Sequence, residues 1–541
     1  MFNKTKNILP VIILFLSVLC IYLSSLSNSY DFDSISLAQW AEGGIYFVPS
    51  QQFHLLNYFF NNIFYYLWKI LGYSGSAILP IQVLDAIFGA LSVCLFFFII
   101  NNLVRNKFVS FICTLGLGFS SEFWHYSTEA ETHIISIFFL LLAIFFISRP
   151  DYNFSVRDIR KTAFCHGLAI FSSAAYFFFF PFFLIIIAFG DNSKQEKKNL
   201  LLKYLFYLII FWLLPYLFIG AVLTIKKNAH YFYDTGLVKF IKRFGHGIIF
   251  WFKSHERFSF IKRDQVYFIA QNFTKMLFGY TQSPIPGLLL FFFSAAFIGI
   301  NHHLARKEKR MMAFAFAGFV MFIVFISIFF IYEPFNTQRY TPLLIFFWIV
   351  VGICMYISLK IYPNKFLYIL IAGLVFFNIY LNFTNRIYPL SIKEKNYYLM
   401  ETAKISEYIG KDDLVLIIGK NPYGYPEPRV RYFDYFGEIN FFELGYLNSR
   451  FYDSYKREGN RQELLGFLKQ EINYFLDSGN NVWCLDVVIN TPEKQKPLIS
   501  SEELNYDDIV DFLKNQYKFK AEKNLEFKFF DKEILYKLTK N

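Results

Sequence analysis

Up to about Asn385 the chain is built from apolar runs close to twenty residues long, the length one helix needs to cross a hydrocarbon layer. The runs fall near 8–26, 78–103, 107–120, 133–148, 163–175, 177–190, 200–224, 286–301, 311–331, 342–359 and 366–383. Backbone polar groups in lipid must be satisfied within the segment itself, so such runs have to be helices. A hydrophobic share of 55% excludes an ordinary soluble domain. The expected fold class is a polytopic α-helical membrane protein with about eleven transmembrane helices.

Charge orients the spans. Lys4 and Lys6 precede the first run, and Arg105/Lys107, Arg149 to Lys161, Lys194 to Lys203, Arg306 to Arg310 and Lys360/Lys365 fall in alternate loops. Short cytoplasmic loops collect Lys and Arg, so the N-terminus is expected inside and an odd span count follows. The net charge of +12 is largely used up by this topology and needs no nucleic-acid partner. Basic loops flank Phe164 to Gly190 on both sides, so two short or tilted helices are expected there. Residues His54 to Gly72 carry Asn57, Asn61 and Asn62 and are expected as helix along the outer surface, because a crossing there would invert every later loop. The outer loop from Lys226 to about Pro284 holds ten Lys and Arg against Asp234, Glu256 and Asp264. It reads either as an amphipathic segment on anionic headgroups or as a platform for a phosphate-bearing lipid.

Beyond Asn385 charges occur throughout and apolar runs shorten to strand length. The division is therefore 1–385 as the membrane domain and 386–541 as a soluble α/β domain, which the odd span count places outside the cell membrane. Strands are expected at Leu414 to Ile418 and Val482 to Val488, helices at Tyr397 to Ile409 and Arg461 to Leu476, and a terminal hairpin at Leu525 to Leu538. Five of the six cysteines lie in apolar runs, so no disulfide framework is expected.

Acidic residues gather at outer span ends. Asp31 and Asp33 follow the first run, and Glu129 and Glu131 occupy the matching end two runs later. Ionisable groups at such positions usually line a cavity, an ion path or a catalytic site. Five stretches occur in order: Tyr30-Asp31-Phe32-Asp33-Ser34, Phe53-His54-Leu55-Leu56-Asn57-Tyr58, Phe119 to Trp124 leading to Glu129-Ala130-Glu131-Thr132-His133, His166-Gly167-Leu168-Ala169, and Gln338-Arg339-Tyr340-Thr341-Pro342.

With these stretches and its topology, most of 8–385 resembles the GT-C superfamily of membrane glycosyltransferases that use polyprenyl-phosphate sugars, especially the branch of protein O-mannosyltransferases and the aminoarabinose transferase. The chain departs from the commonest pattern at Leu55-Leu56 after His54, where Pro-Pro is usual, and at His133, where Tyr is usual. The resemblance implies transfer of a sugar from a polyprenyl phosphate to a protein, lipid or glycan acceptor at the extracytoplasmic face, with inversion. It also assigns the base to an Asp of the first outer loop, here Asp33 or Asp31, with Asp33 preferred for its match to the acid-Ser pattern.

Such a reaction needs a base and a cationic cradle for the departing phosphate. Glu131 is expected to orient acceptor or sugar hydroxyls, with Glu129 beside it; only one of the two can point inward if the run is helical. Glu122 reads as part of a surface turn. Arg339, beside Tyr340, is the expected phosphate ligand because its planar fork binds two oxygens and stays charged. Lys262 and Arg263 are supplementary cations, and His54 and His133 are further substrate contacts. Asp31, Asp33 and Glu131 offer oxygen ligands to a divalent cation, but the branch resembled is metal-independent, so no cofactor is expected. The competing readings are a transporter or flippase of lipid-linked substrates and a non-catalytic envelope assembly subunit. The first would favour mid-membrane acids and internal repeats, and neither feature is seen in the sequence.

Overall fold

The computed structural model describes residues 8–43, 54–149, 152–216, 274–277, 309–332, 341–361, 363–418, 428–455, 457–490, 504–526 and 533–541. The expectations for Lys262, Arg263, Arg339, Tyr340 and the run at 286–301 lie outside the described residues. The chain divides into two compact units, one formed by 1–27 and 36–391, the other by 28–35 and 392–541.

The first unit is helical. In chain order come α1 Ile8–Ser24, α2 Phe32–Gly43 (which begins in the second unit), α3 Leu55–Ile70, α4 Ile78–Val104, α5 Lys107–Gly118, α6 Ser121–Tyr126, α7 His133–Ile147, α8 Val156–Ser172, α9 Phe180–Phe189, α10 Lys194–Leu208, α11 Lys309–Tyr332, α12 Leu343–Ile361 and α13 Lys365–Asn382. Among the described residues, four helical stretches are long and apolar enough to cross a membrane: Ile78–Val104, Lys194–Tyr216, Leu343–Ile361 and Lys365–Ser391. Large apolar side chains face outward on α1 (Leu9, Ile13, Leu16) and on α13 (Phe366, Ile369, Leu374, Phe377). Apolar surface on this scale is stable only when something other than water covers it.

Two helices begin earlier than their apolar runs. A capping box of Ser155 and Asp158 starts α8 at Val156, and another of Ser193 and Glu196 starts α10 at Lys194. The basic residues Arg157 to Lys161 and Lys194 to Lys203 therefore sit on helical turns and not in loops, because the caps satisfy the first amides before the apolar stretch begins. Between α8 and α9 lies a 3-10 turn, Ala174–Phe179, and Pro181 opens α9, where a missing N–H costs nothing. Helix α3 inverts soluble amphipathicity: Asn57 and Asn61 are buried, whereas Phe59, Tyr66, Leu67 and Ile70 are exposed. The asparagines that mark it as a surface element in the sequence point inward. At Gly116 a Cβ would meet the Trp348 ring at 2.3 Å, so only glycine allows α5 and α12 this approach.

The second unit holds a five-stranded sheet of β1 Leu414–Ile417, β2 Asn440–Glu443, β3 Val482–Leu485, β4 Tyr517–Leu525 and β5 Glu533–Lys540, in the order β2-β1-β3-β5-β4. The first three are parallel, and β5 runs antiparallel to both β3 and β4. β1 and β3 are buried along their full length, as strands covered on both faces must be. Chain turns into helix at Asp486, two residues before the expected strand end. The hairpin begins at Tyr517, so Leu525 closes its first strand; the Lys-rich sequence of β4 hides its period-two pattern. Helices Tyr397–Ser406, Leu447–Tyr455, Arg461–Asp477 and Tyr506–Gln516 are the longer helices of this unit among the described residues. Residues 28–35 are held to it by the Tyr432 hydroxyl, which accepts from the Tyr30 amide and donates to the Tyr30 carbonyl, each at 2.8 Å, and by Asn396, which donates to the Asn28 carbonyl at 2.6 Å.

Candidate active site

A polar layer forms where α1, α4, α5, α6 and α7 come to one end of the first unit. Tyr22 donates to the Gly118 carbonyl at 2.6 Å, Trp124 Nε1 donates to Ser25 Oγ at 3.0 Å, and the Ser27 amide donates to the Thr128 carbonyl at 2.9 Å. These bonds tie the end of α1 to the segment linking α5 to α7. Four carboxylates are buried in the layer: Asp85, Glu122, Glu129 and Glu131. Burying a charge costs several kcal/mol unless it is paired, so the partners of each decide what it can do.

Glu122 is fully committed. Both its oxygens accept from the Arg386 guanidinium, at 2.6 and 2.8 Å, in the bidentate geometry that makes this pair strong. Burial works to raise the Glu122 carboxyl, and the charge and hydrogen bonds of Arg386, together with the His125 and Lys275 charges, outweigh it and hold the carboxyl below the usual range. Glu122 is thus a buried ion-pair partner and not part of a surface turn. Arg386 lies in a π-helical turn, Phe383–Ile387, at the end of α13. Asn382, just before it, donates to the carbonyls of Phe119 and Leu277, each at 2.8 Å. Sequence reasoning missed Arg386 because its partner lies 264 residues away.

Glu129 pairs with His125 Nε2 at 2.7 Å. Glu131 accepts from the Thr132 amide at 2.7 Å, and its own amide donates to Asp85 Oδ2 at 2.9 Å. The run 129–132 is not helical, so both acids can be buried on one stretch, contrary to the helical expectation that only one points inward. Asp85 and His125 are further members of the layer that the sequence did not single out. Asp85 is a lone acid inside an apolar run, and its only signal is that ionisable residues in spans are rare.

His54 stands at the N-cap position of α3, its Nδ1 3.2 Å from the Ser172 carbonyl and its ring 6.4 Å from that of His133. The two histidines of the expected substrate contacts are therefore neighbours. Asn57 donates to the Thr132 carbonyl, which joins α3 to the acidic run. His166 is a core residue, with Nδ1 2.7 Å from the Tyr204 hydroxyl and Nε2 2.9 Å from the Tyr176 carbonyl. Among the described residues no group of three or more His, Cys, Asp or Glu is arranged to hold a metal ion.

Asp31 and Asp33 belong to the second unit. Asp31 precedes α2, and its Oδ1 accepts from the Ser34 amide at 2.8 Å and the Ser34 hydroxyl at 2.9 Å. This is an N-cap, which occupies an oxygen in holding the helix start. Asp33 lies in the first turn of α2 and is exposed. The two carboxylates that the sequence leaves as alternatives thus have different local duties.

No protein-family model matches the sequence, and no curated protein is similar to it. Among solved structures, the chain is similar to ArnT from Cupriavidus metallidurans bound to undecaprenyl phosphate, with a TM-score of 0.53 at 11% identity over 97% of both chains. The apo state of the same protein matches with the same TM-score at 10% identity, again over 97% of both chains. An Archaeoglobus fulgidus oligosaccharyltransferase in complex with Zn and sulfate gives a TM-score of 0.46 at 13% identity, covering 87% of this chain and 63% of that one. At this identity the likeness to ArnT is one of fold, and it extends along nearly the whole length of both chains.

Proposed function

We propose that the chain is an integral-membrane glycosyltransferase that moves a sugar from a polyprenyl phosphate to a protein, lipid or glycan acceptor at the extracytoplasmic face of the inner membrane. The observation that carries this reading is the likeness, over 97% of both chains, to a transferase whose structure holds undecaprenyl phosphate. The buried acidic layer and the exposed acid on α2 supply residue types that such a reaction uses.

In the proposed step an acceptor hydroxyl attacks the anomeric carbon as the bond from that carbon to the phosphate oxygen breaks. The bonding pair leaves with the polyprenyl phosphate, and the acceptor proton passes to the Asp33 carboxylate. Asp33 is favoured over Asp31 for its match to the acid-Ser pattern. Glu131 orients the sugar or acceptor hydroxyls, with Glu129, His54 and His133 lining the approach. Arg339 receives the leaving phosphate, assisted by Tyr340, Lys262 and Arg263. Attack opposite the leaving group gives inversion, and no resident metal is required.

The test is transfer by the purified protein from a panel of radiolabelled polyprenyl-phosphate sugars, with and without EDTA. Wild type is expected to transfer one donor sugar in either condition, and Arg339→Ala to lose most of the rate while remaining folded. Absence of transfer across the panel sinks the proposal, whereas turnover that needs an added divalent ion removes its metal-free part.

A further inference from the structure

Gln82 and Asp85 stand one turn apart on α4 and therefore on the same face. Each holds a backbone group of the segment opposite. Gln82 Nε2 donates to the Thr128 carbonyl at 3.1 Å and to the Ser27 carbonyl at 2.7 Å, and Asp85 Oδ2 accepts from the Glu131 amide at 2.9 Å. The stretch Glu129-Ala130-Glu131 lies between these two grips. It is irregular, so it has no ladder of its own to fix it, and its shape is set from outside.

We propose that Asp85 is a positioning residue for sugar transfer, acting through Glu131: by holding the Glu131 amide it fixes where the Glu131 carboxylate stands. The inference rests on the glycosyltransferase reading above. Three observations carry it. Asp85 is wholly buried in a membrane-length helix, where an ionisable side chain is a functional residue by default. Its Oδ1 has no hydrogen-bond partner among the described residues, a cost that a purely structural clasp would avoid. Among the described residues its one side-chain bond goes to the amide of the acid expected to touch substrate.

The experiment measures kcat and donor KM for wild type, Asp85→Ala, Asp85→Asn, Glu131→Ala and the double variant Asp85→Ala/Glu131→Ala, with thermal unfolding in detergent alongside. Asp85→Ala is expected to lower kcat about 10²-fold, the scale of a small misplacement at a reacting centre, with donor KM unchanged. Asp85→Asn keeps an acceptor for the Glu131 amide and is expected to recover most of that loss. The double variant is expected to be no slower than Glu131→Ala alone, since the two act as one unit. Should Asp85→Ala unfold, Asp85→Leu, closer in volume, replaces it. Wild-type rate in Asp85→Ala, a change in KM alone, or multiplying losses in the double variant overturns the inference while leaving the function in place. Failure of wild type to transfer any donor overturns both.

Discussion

At the scale of single residues, the two first-loop aspartates make opposite predictions. Asp31→Ala removes the α2 cap and is expected to cost about 1 kcal/mol of stability, while Asp31→Asn, an equally good cap, is expected to keep both stability and activity. Asp33→Asn is expected to lower kcat by about 10²–10⁴-fold, the usual contribution of a general base, in protein that remains folded. Detergent melts and initial rates on the three variants separate the roles, and full activity in Asp33→Asn would move the base elsewhere. Asp413 supplies a pH test in the second unit. It accepts from the Asn481 amide at 2.8 Å, the Gly410 amide at 3.0 Å and Trp483 Nε1 at 3.0 Å. Burial works to raise its carboxyl, and these donors together outweigh burial and hold it below the ordinary range. A depressed carboxyl lends stability that is complete above its unfolded value and drains away as pH falls through the folded one, so the loss begins below about pH 4. Hydrogen-exchange protection of β1 and β3, corrected for the intrinsic rate, is expected to fall in that window for wild type. Asp413→Ala should show reduced protection already at neutral pH.

Elements show where the sequence was legible. Apolar length placed α4, α7, α12 and α13, which begin within one residue of their runs, whereas α8 and α10 begin seven and six residues early and α2 falls in none of the runs. What periodicity could not give was which side of a helix faces in, since lipid reverses the rule; hence the inward asparagines of α3. Nor could it give pairings across long separations. Arg386 and Glu122 are unremarkable in sequence and become a buried bidentate pair only when the end of α13 meets α6. Glu122→Ala, which strands the guanidinium, is expected to destabilise by about 3–5 kcal/mol. The double replacement Glu122→Gln/Arg386→Met should recover part of that loss, read as detergent melting temperature and yield of monodisperse protein. Equal melts for wild type and Glu122→Ala would show that the pair contributes nothing. The candidate site was legible in its acids and histidines, whose chemistry is visible in any context, and illegible in Asp85 and His125, whose meaning comes from what they touch.

For the molecule as a whole, the expected topology sets the basic turns of α10 inside and the second unit outside. In a cysteine-free background, Lys411→Cys is expected to react with an impermeant maleimide added to intact cells, and Lys198→Cys only after the membrane is breached. The reverse pattern would invert the orientation, and with it the face on which transfer takes place. The composition of the second unit has a separate consequence. Residues 28–35 fold with 392–541, joined by Tyr432 and Asn396 to Tyr30 and Asn28, and they carry both first-loop aspartates. The module is therefore discontinuous in the gene. A chimera with a single crossover near codon 391 would graft a foreign tail onto a first loop that evolved beside another. An exchange that preserves the aspartates' setting needs a second donor insert, eight codons long, just after the first helix.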